Sequence, residues 1–411
     1  MSPTASPTAS VTAIGTFDAV VVGGGPAGAT AAHDLAKAGH SVLLLDRAGR
    51  IKPCGGAIPP RLIADFEIPA HMLVARATSA RMVSPADKRV DIPIEGGFVG
   101  MVDREHFDEW LRVRAADAGV LRQTGRFDKI ERDEDGTAVV HWHSEGEEGA
   151  QPVHSHARAR CIIGADGAKS GVARAEIDGW DKGKFVFAYH EIVRKPEAPP
   201  PGYDGSRCDV IYRGTLSPDF YGWVFPHGDT LSIGTGSADK GFSLRHATAA
   251  LRQECGLADA QTVRREGAPI PMKPLPRWDN GRDVVLAGDA CGVVAPASGE
   301  GIYYAMASAR MAAQAAMKFL ATGNAKHLAF ARKQFLKEHG RVFWILGIMQ
   351  RFWYSSDKRR ERFVDICRDK DVQQLTFDSY MHKRLVRKRP MAHVRIFFKD
   401  MAHLLGLAKV A

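Results

Sequence analysis

Cysteine pairs, long apolar runs and early basic residues are all missing from this chain of 411 residues. Its six cysteines (Cys54, Cys161, Cys208, Cys255, Cys291 and Cys367) are scattered, with no C-x-x-C among them. That spacing suits neither a disulfide framework nor a zinc site, so no metal is expected, and a reducing, cytoplasmic compartment is. The longest apolar run, Val342 to Met349 (VFWILGIM, counting glycine), falls far short of the ~20 residues that span a bilayer. The chain is expected to lie on a membrane and not to cross one. The first Lys or Arg is Lys37, so a secretory leader is not expected either. Acidic residues are scarce at the other end. From Lys326 onward 20 Lys/Arg face 8 Asp/Glu, a net +12, whereas residues 1–325 hold 36 against 39, a net −3. A basic tail on a near-neutral body points to an anionic surface met by the tail, and not to a nucleic-acid-binding body.

What is present is ordinary for a globular protein: 45% hydrophobic and 25% charged residues, at a length that suggests two to three domains. Wholesale disorder, collagen and a coiled coil are excluded. Residues Met1 to Thr16 are rich in Ser, Thr and Pro and are expected to be disordered. Asp18 to Val22 reads as a buried parallel strand, Ala27 to Ala38 as a helix stopped at Gly39, and Ser41 to Asp46 as the next strand. Asp103 is placed to cap a helix over Arg104 to Ala118. Strands are expected at Thr137 to Trp142 and Cys161 to Gly164. Phe185 to Val193 and Tyr221 to Ile233 alternate and predict an antiparallel sheet. Val284 to Ala287 predicts one more buried strand before an Ala/Met helix from Gly301 to Leu320. From Ala325 to its end the chain reads as helical.

Gly23-Gly24-Gly25-Pro26-Ala27-Gly28 fits G-x-G-x-x-G, follows a strand, opens a helix, and is answered by Asp46 at the end of the next strand. That is a complete dinucleotide fingerprint: Gly23 for the turn, Gly25 for approach to a pyrophosphate, Gly28 for close packing of helix on strand. The pyrophosphate sits at the helix N-terminus, where free amides and the dipole favour anions. Asp46 can accept from ribose hydroxyls. Two further turns follow: Gly164-Ala165-Asp166-Gly167-Ala168-Lys169-Ser170 with Arg174 beyond, and Gly288-Asp289-Ala290 followed by Pro296 and Gly299-Glu300-Gly301-Ile302. Asp289 can hold a ribityl hydroxyl, and the Gly301 helix start can face the flavin edge where negative charge grows on reduction.

In this order the three motifs resemble the α/β flavoprotein fold of p-hydroxybenzoate hydroxylase-type enzymes and of geranylgeranyl reductases. Lys52-Pro53-Cys54-Gly55-Gly56-Ala57-Ile58-Pro59 resembles the Cys-Gly-Gly loop of the second group, and Tyr221-Gly222-Trp223-Val224-Phe225-Pro226 its Y-x-W-x-F-P motif. The likeness runs from Phe17 to Leu407 and is strongest to the geranylgeranyl reductases of bacteriochlorophyll synthesis. It implies a Rossmann-like FAD-binding domain (residues 17–75, 98–172 and 268–322), an antiparallel-sheet substrate domain (76–97 and 173–267) and a basic C-terminal helical region (323–411). It also implies FAD, NADPH as electron source, and stepwise saturation of a geranylgeranyl chain to phytyl. Cofactor contacts are implied for Gly23, Gly25, Pro26, Ala27, Gly28, Asp46, Arg47, Cys54, Gly55, Ala57, Arg104, Asp166, Asp289, Gly299, Gly301 and Ile302. Asp46 stands where many such flavoproteins have Glu, shorter but still an acceptor.

Reduction of an isolated C=C bond by hydride needs a proton at the other carbon. Cys54 donates that proton, orders a water that does, or is a small buried residue that meets FAD only through its backbone. For Cys291 a structural role is expected. Tyr221, Trp223 and Phe225 share a strand face that suits a prenyl tunnel or a packed core. There is no second complete fingerprint, since Ser232-Ile233-Gly234-Thr235-Gly236 lacks a third glycine. A separate NAD(P)H domain is thus disfavoured, and NADPH visits the flavin domain unless ferredoxin serves. The substrate is free geranylgeranyl diphosphate or a geranylgeranylated (bacterio)chlorophyll. Val394 to Ala411 is amphipathic and basic, and either binds an anionic membrane, at about 1 kcal/mol per basic residue near the surface, or docks on its own domain. A peripheral place on the cytoplasmic or photosynthetic membrane is expected. The competing functions are an FAD monooxygenase on the same fold and a flavin-free prenyl-protein escort factor.

Overall fold

Stretches that are apolar at every position belong inside a sheet covered on both faces, and they set the architecture here. The computed structural model describes residues 11–47, 49, 51–95, 97–145, 151–374 and 383. The chain opens with β1 (Val11–Val22), α1 (Pro26–Lys37) and β2 (Val42–Asp46). Next come β3 (Ala57–Ile58), α2 (Pro60–Asp65), β4 (Leu73–Ala77), β5 (Ser79–Val83), β6 (Arg89–Pro93) and β7 (Val99–Val102). Helix α3 (Arg104–Asp117) leads into β8 (Leu121–Thr124), β9 (Arg126–Arg132), β10 (Ala138–Ser144) and β11 (Val153–Gly164). After α4 (Gly171–Glu176) follow β12 (Phe185–Arg194), β13 (Arg207–Ile211), β14 (Gly222–His227), β15 (Thr230–Ser237), α5 (Leu244–Glu254) and β16 (Thr262–Pro271). The chain returns through β17 (Val284–Leu286) to α6 (Ile302–Thr322), α7 (Phe330–Trp353) and α8 (Asp357–Ile366).

The first sheet has the order β8-β2-β1-β11-β10-β9, with β17 also on β11. β1 is parallel to β2 and to β11, and Ile162 to Gly164 of β11 pair in parallel with β17. Val20, Val21, Leu43, Leu44, Ile162 and Ile163 are buried to within 1%. Helices α1, α3 and α6 pack together beside them, and α7 packs on α6. A second seven-stranded sheet, β16-β12-β15-β14-β13-β5-β6, is antiparallel except where β5 meets β13. The three-stranded sheet β3-β7-β4 lies between the two large ones in sequence and touches β14. Asp103 caps α3 as the sequence predicts, accepting from the Glu105 amide at 2.9 Å.

Two expectations need correction. Order begins at Val11 and not at Phe17. β11 is long enough to offer Val11 to Thr16 a parallel partner from His154 to Arg158, with a bulge at Gly15. Residues 1–10 lie outside the described residues. The stretch Tyr221 to Ile233 is two strands, β14 and β15, folded at Gly228, whose φ of 65° suits the turn. The amphipathic segment Val394 to Ala411 also lies outside the described residues.

Candidate active site

The loop from β1 into α1 forms the first half of a cradle. Gly23 has φ 104°, and a Cβ on Gly28 would sit 1.7 Å from the Gly23 carbonyl oxygen, so neither position takes a side chain. Gly25 differs: a Cβ there would meet nothing within 4 Å, and no side chain caps the helix. Pro26 at the first helical position has no N–H to offer, which leaves the amides of Ala27 and Gly28 aimed into the open space beside Gly25. A phosphate fits that donor set. Asp46 closes the edge of the space, packed over Gly24. Arg112 of α3 donates to both Asp46 Oδ2 and the Gly24 carbonyl at 3.2 Å, and is itself braced by Glu109 at 2.8 Å. Arg47, just beyond β2, is exposed.

The second half comes from the turn after β17. Asp289 lies on a short 3-10 turn, Gly288–Cys291, with Lys52 ion-paired to its carboxylate. A Cβ on Gly301 would fall 3.7 Å from Asp289 Oδ1. The carboxylate therefore stands at the start of α6, a helix with no side-chain cap. The Cys291 thiol is fully buried and donates to the Gly288 carbonyl at 3.1 Å, and burial holds it far above its ordinary pKa. Asp166 serves its own loop. One carboxylate oxygen accepts from the Ser170 hydroxyl, the other from the amides of Gly171 at 2.6 Å and Val172 at 3.2 Å. Burial pushes this carboxyl up, against those bonds.

Between the halves lies the Cys-Gly-Gly loop. The Gly56 amide donates to Cys54 Sγ at 3.4 Å. Arg104, buried at the start of α3 beside Cys54, grips Asp108 with two bonds of 2.8 and 2.7 Å. Burial works against the guanidinium's charge, but the Asp108 carboxylate holds it charged. Gly55 backs onto Phe225: an added Cβ would be 3.2 Å from that ring. Ala57 starts β3, opposite Met101. Tyr221, Trp223 and Phe225 do share a face, with ring centres 6.1 and 6.4 Å apart along it. The wall continues to Tyr212, 6.0 Å from Tyr221, and to Tyr354 and Phe363 beyond. The Tyr221 hydroxyl donates to the Ser298 carbonyl at 2.5 Å, which ties the wall to the loop carrying Gly299 and Gly301.

The sequence reading passed over Arg112 and His227, and quoted Lys52 and Glu300 within their motifs without giving either a role. Lys52 opens the Cys-Gly-Gly segment and His227 directly follows the Y-x-W-x-F-P motif, which is the signal that marks them. Glu300 accepts from the Tyr303 amide at 3.2 Å and pairs with buried Lys383 at 2.5 Å. His227 follows Pro226 and packs under Gly56, where burial pushes its pKa down to about 4. The unfolded chain takes up this proton near pH 6.5, the folded protein only near pH 4. Stability from this group is therefore full above pH 6.5 and is lost as pH falls toward 4, by about 3 kcal/mol. Thermal melts of His227→Gln and parent between pH 7 and pH 4.5 should diverge accordingly, the variant losing less. Parallel pH dependence would remove His227 from this account.

Residues 21–75 match the NAD(P)-binding Rossmann-like domain family. Over 393 residues the chain is 59% identical to a geranylgeranyl diphosphate reductase of Rhodobacter capsulatus, covering 95% of this chain and 98% of the relative. A chloroplastic geranylgeranyl diphosphate reductase of Oryza sativa is 36% identical across 94% of this chain and 85% of its own. Digeranylgeranylglycerophospholipid reductase 1 of Methanopyrus kandleri is 30% identical across 74% and 80%. In structure the chain is similar to a geranylgeranyl bacteriochlorophyll reductase-like protein of Thermoplasma acidophilum, with TM-score 0.77, 20% identity, and 95% and 98% of the two chains covered. A flavin-dependent brominase superposes with TM-score 0.73 at 16% identity, covering 94% and 99%. At such identities the likeness establishes a shared fold.

Proposed function

The chain belongs to the geranylgeranyl diphosphate reductase family, and from that premise we propose that it is an FAD-dependent reductase that saturates isolated C=C bonds of a geranylgeranyl chain to give phytyl. The observation that carries this reading is the meeting of Cys54, Arg104 and the Tyr221–Trp223–Phe225 wall between the two halves of the cradle. The Ala27 and Gly28 amides would hold the pyrophosphate, Asp46 with Arg112 the ribose, and Asp289 with Lys52 the ribityl chain. When bound and reduced, FAD would supply a hydride to one alkene carbon. The aromatic wall lays the prenyl chain flat and excludes water. Cys54 gives a proton to the other carbon, and the Arg104 guanidinium stabilises the sulfur anion left behind. Asp108 keeps that guanidinium aimed.

Geranylgeranyl diphosphate or a geranylgeranylated pigment, supplied with reductant under anaerobic conditions, should gain hydrogen in steps of two through partly reduced chains, read by mass. Oxygen-dependent hydroxylation of the product would instead support a monooxygenase. NADPH is the proposed electron source. A cleft of about 400 Å³ beside the Asp166 loop supports it, because it combines Lys169 and Arg245 with the Phe187, Tyr189 and Phe242 rings, a set suited to a phosphorylated adenosine. Lys169→Gln with Arg245→Gln should raise KM for NADPH about tenfold at unchanged flavin content. An unchanged KM puts the donor elsewhere. Residence on the membrane as a peripheral protein belongs to the same reading.

A further inference from the structure

Helix α7 has two opposite faces. On one, Phe335, His339, Val342, Phe343 and Trp353 are buried. At 100° per residue the other face aligns Lys333, Lys337, Arg341, Trp344, Ile348 and Arg351, and all six are exposed. Trp344 is 68% accessible and Ile348 48%. An indole open to this degree beside an exposed isoleucine one turn away is costly in water unless something meets it. No described helix is long and apolar enough to cross a membrane. The stripe instead has cations at both ends, Lys333, Lys337 and Arg341 on one side and Arg351 on the other, around an apolar centre. It contains no acidic residue, and among the described residues its cations make no ion pair.

We propose that this stripe is the surface by which the protein docks on an anionic bilayer, with Trp344 and Ile348 entering the boundary between headgroups and acyl chains and the four cations facing lipid phosphates. Charge selects the occupant. A second copy of the chain would bring the same four cations against themselves, which opposes a two-fold contact. Residues 384–411 carry seven Lys/Arg and one Asp, so the chain's own end repels the stripe as well. A lipid surface supplies both what the cations need and what the indole and isoleucine need.

The placement also serves the proposed reaction, and in that respect rests on it. Leu346, Met349, Phe352 and Trp353, on the inner side of the same turns, pack with Tyr212, Tyr221 and Trp223. The bilayer contact and the prenyl wall are therefore two sides of one helix, about 10 Å apart. A chain leaving the membrane reaches the wall around α7 without crossing bulk water.

The test is co-sedimentation of the full-length flavoprotein with vesicles of phosphatidylcholine containing about one-third phosphatidylglycerol, at low and at high salt. The parent should bind, more weakly as salt rises, and hardly at all to phosphatidylcholine alone. Trp344→Ser with Ile348→Ser should lower partitioning about tenfold or more, and Lys337→Gln with Arg341→Gln should weaken binding and flatten its salt dependence. Both pairs should keep the flavin spectrum and the turnover of detergent-dispersed substrate. The inference is overturned if the apolar pair binds vesicles like the parent, or if the parent is a dimer that this pair splits. It is equally overturned if vesicles are bound only after residues 384–411 are removed. Absence of turnover by the parent in detergent defeats the reductase reading and leaves vesicle binding to be judged by itself.

Discussion

Cys54→Ala should lower kcat for alkene reduction by about a hundredfold or more and leave flavin content unchanged, the scale at which general acids contribute. The argument is one of elimination within a small cluster. The Tyr221 hydroxyl is engaged as a hydrogen-bond donor to the Ser298 carbonyl, and burial drives its pKa far above the ordinary phenol range. Arg104 is held charged by Asp108, so its protons are bound too tightly to be given up. His227 packs against Gly56, and burial pushes its pKa down to about 4, so near neutral pH it carries no extra proton to give. That leaves the Cys54 thiol, beside a cation that suits the sulfur anion. Single-turnover reduction of the alkene by photoreduced enzyme separates this step from flavin reduction. Cys54→Ser should be nearly as slow, because a hydroxyl is a far weaker acid than a thiol. A wild-type rate in Cys54→Ala would falsify the acid role and leave Cys54 as a backbone contact.

The second large effect comes from adding one methyl group. Gly28→Ala should abolish FAD binding and cost more than about 4 kcal/mol of stability, since its Cβ would lie 1.7 Å from a backbone oxygen. Neither α1 nor β1 can yield, because each is packed on both sides. Gly25→Ala is the informative contrast. Its φ of −74° is open to any residue and its Cβ would touch no protein atom. The folded chain should melt within a few degrees of the parent, yet bind FAD at least about tenfold more weakly, because the methyl occupies the room left for phosphate. Flavin titration of the two variants, with their melting curves, checks both statements. Equal losses of stability would mean that the space beside Gly25 is not a ligand site.

Features governed by local rules could be read from the sequence, and features made by distant packing could not. The glycine fingerprint, the Asp103 cap and the buried β17 follow from what backbone geometry or burial permits at those positions. The beginning of β1 did not, because Val11 to Thr16 are ordered by pairing with His154 to Arg158, far along the chain. Arg112 looked like one helix arginine among several until α3 docked it on Asp46 and Gly24. The Asp166 turn was recognisable, but the direction of its carboxylate depends on Ser170 and the start of α4. The shared face of Tyr221, Trp223 and Phe225 was legible from alternation. Its contact with Gly55 was not, since two segments some 170 residues apart make it.

The order of strands in the first sheet bears on how this protein is made. β1, α1 and β2 leave the ribosome first, but β11 lacks its partner β17 until Leu286 has been synthesised, and Asp289 and the α6 start follow later still. A nascent chain released or stalled before that point carries the glycine fingerprint without the opposing half of the cradle. It lacks half of the flavin cradle and leaves Ile162 to Gly164 of β11 unpaired on one edge, a template for pairing with other chains. Cofactor loading is thus a late event in biogenesis.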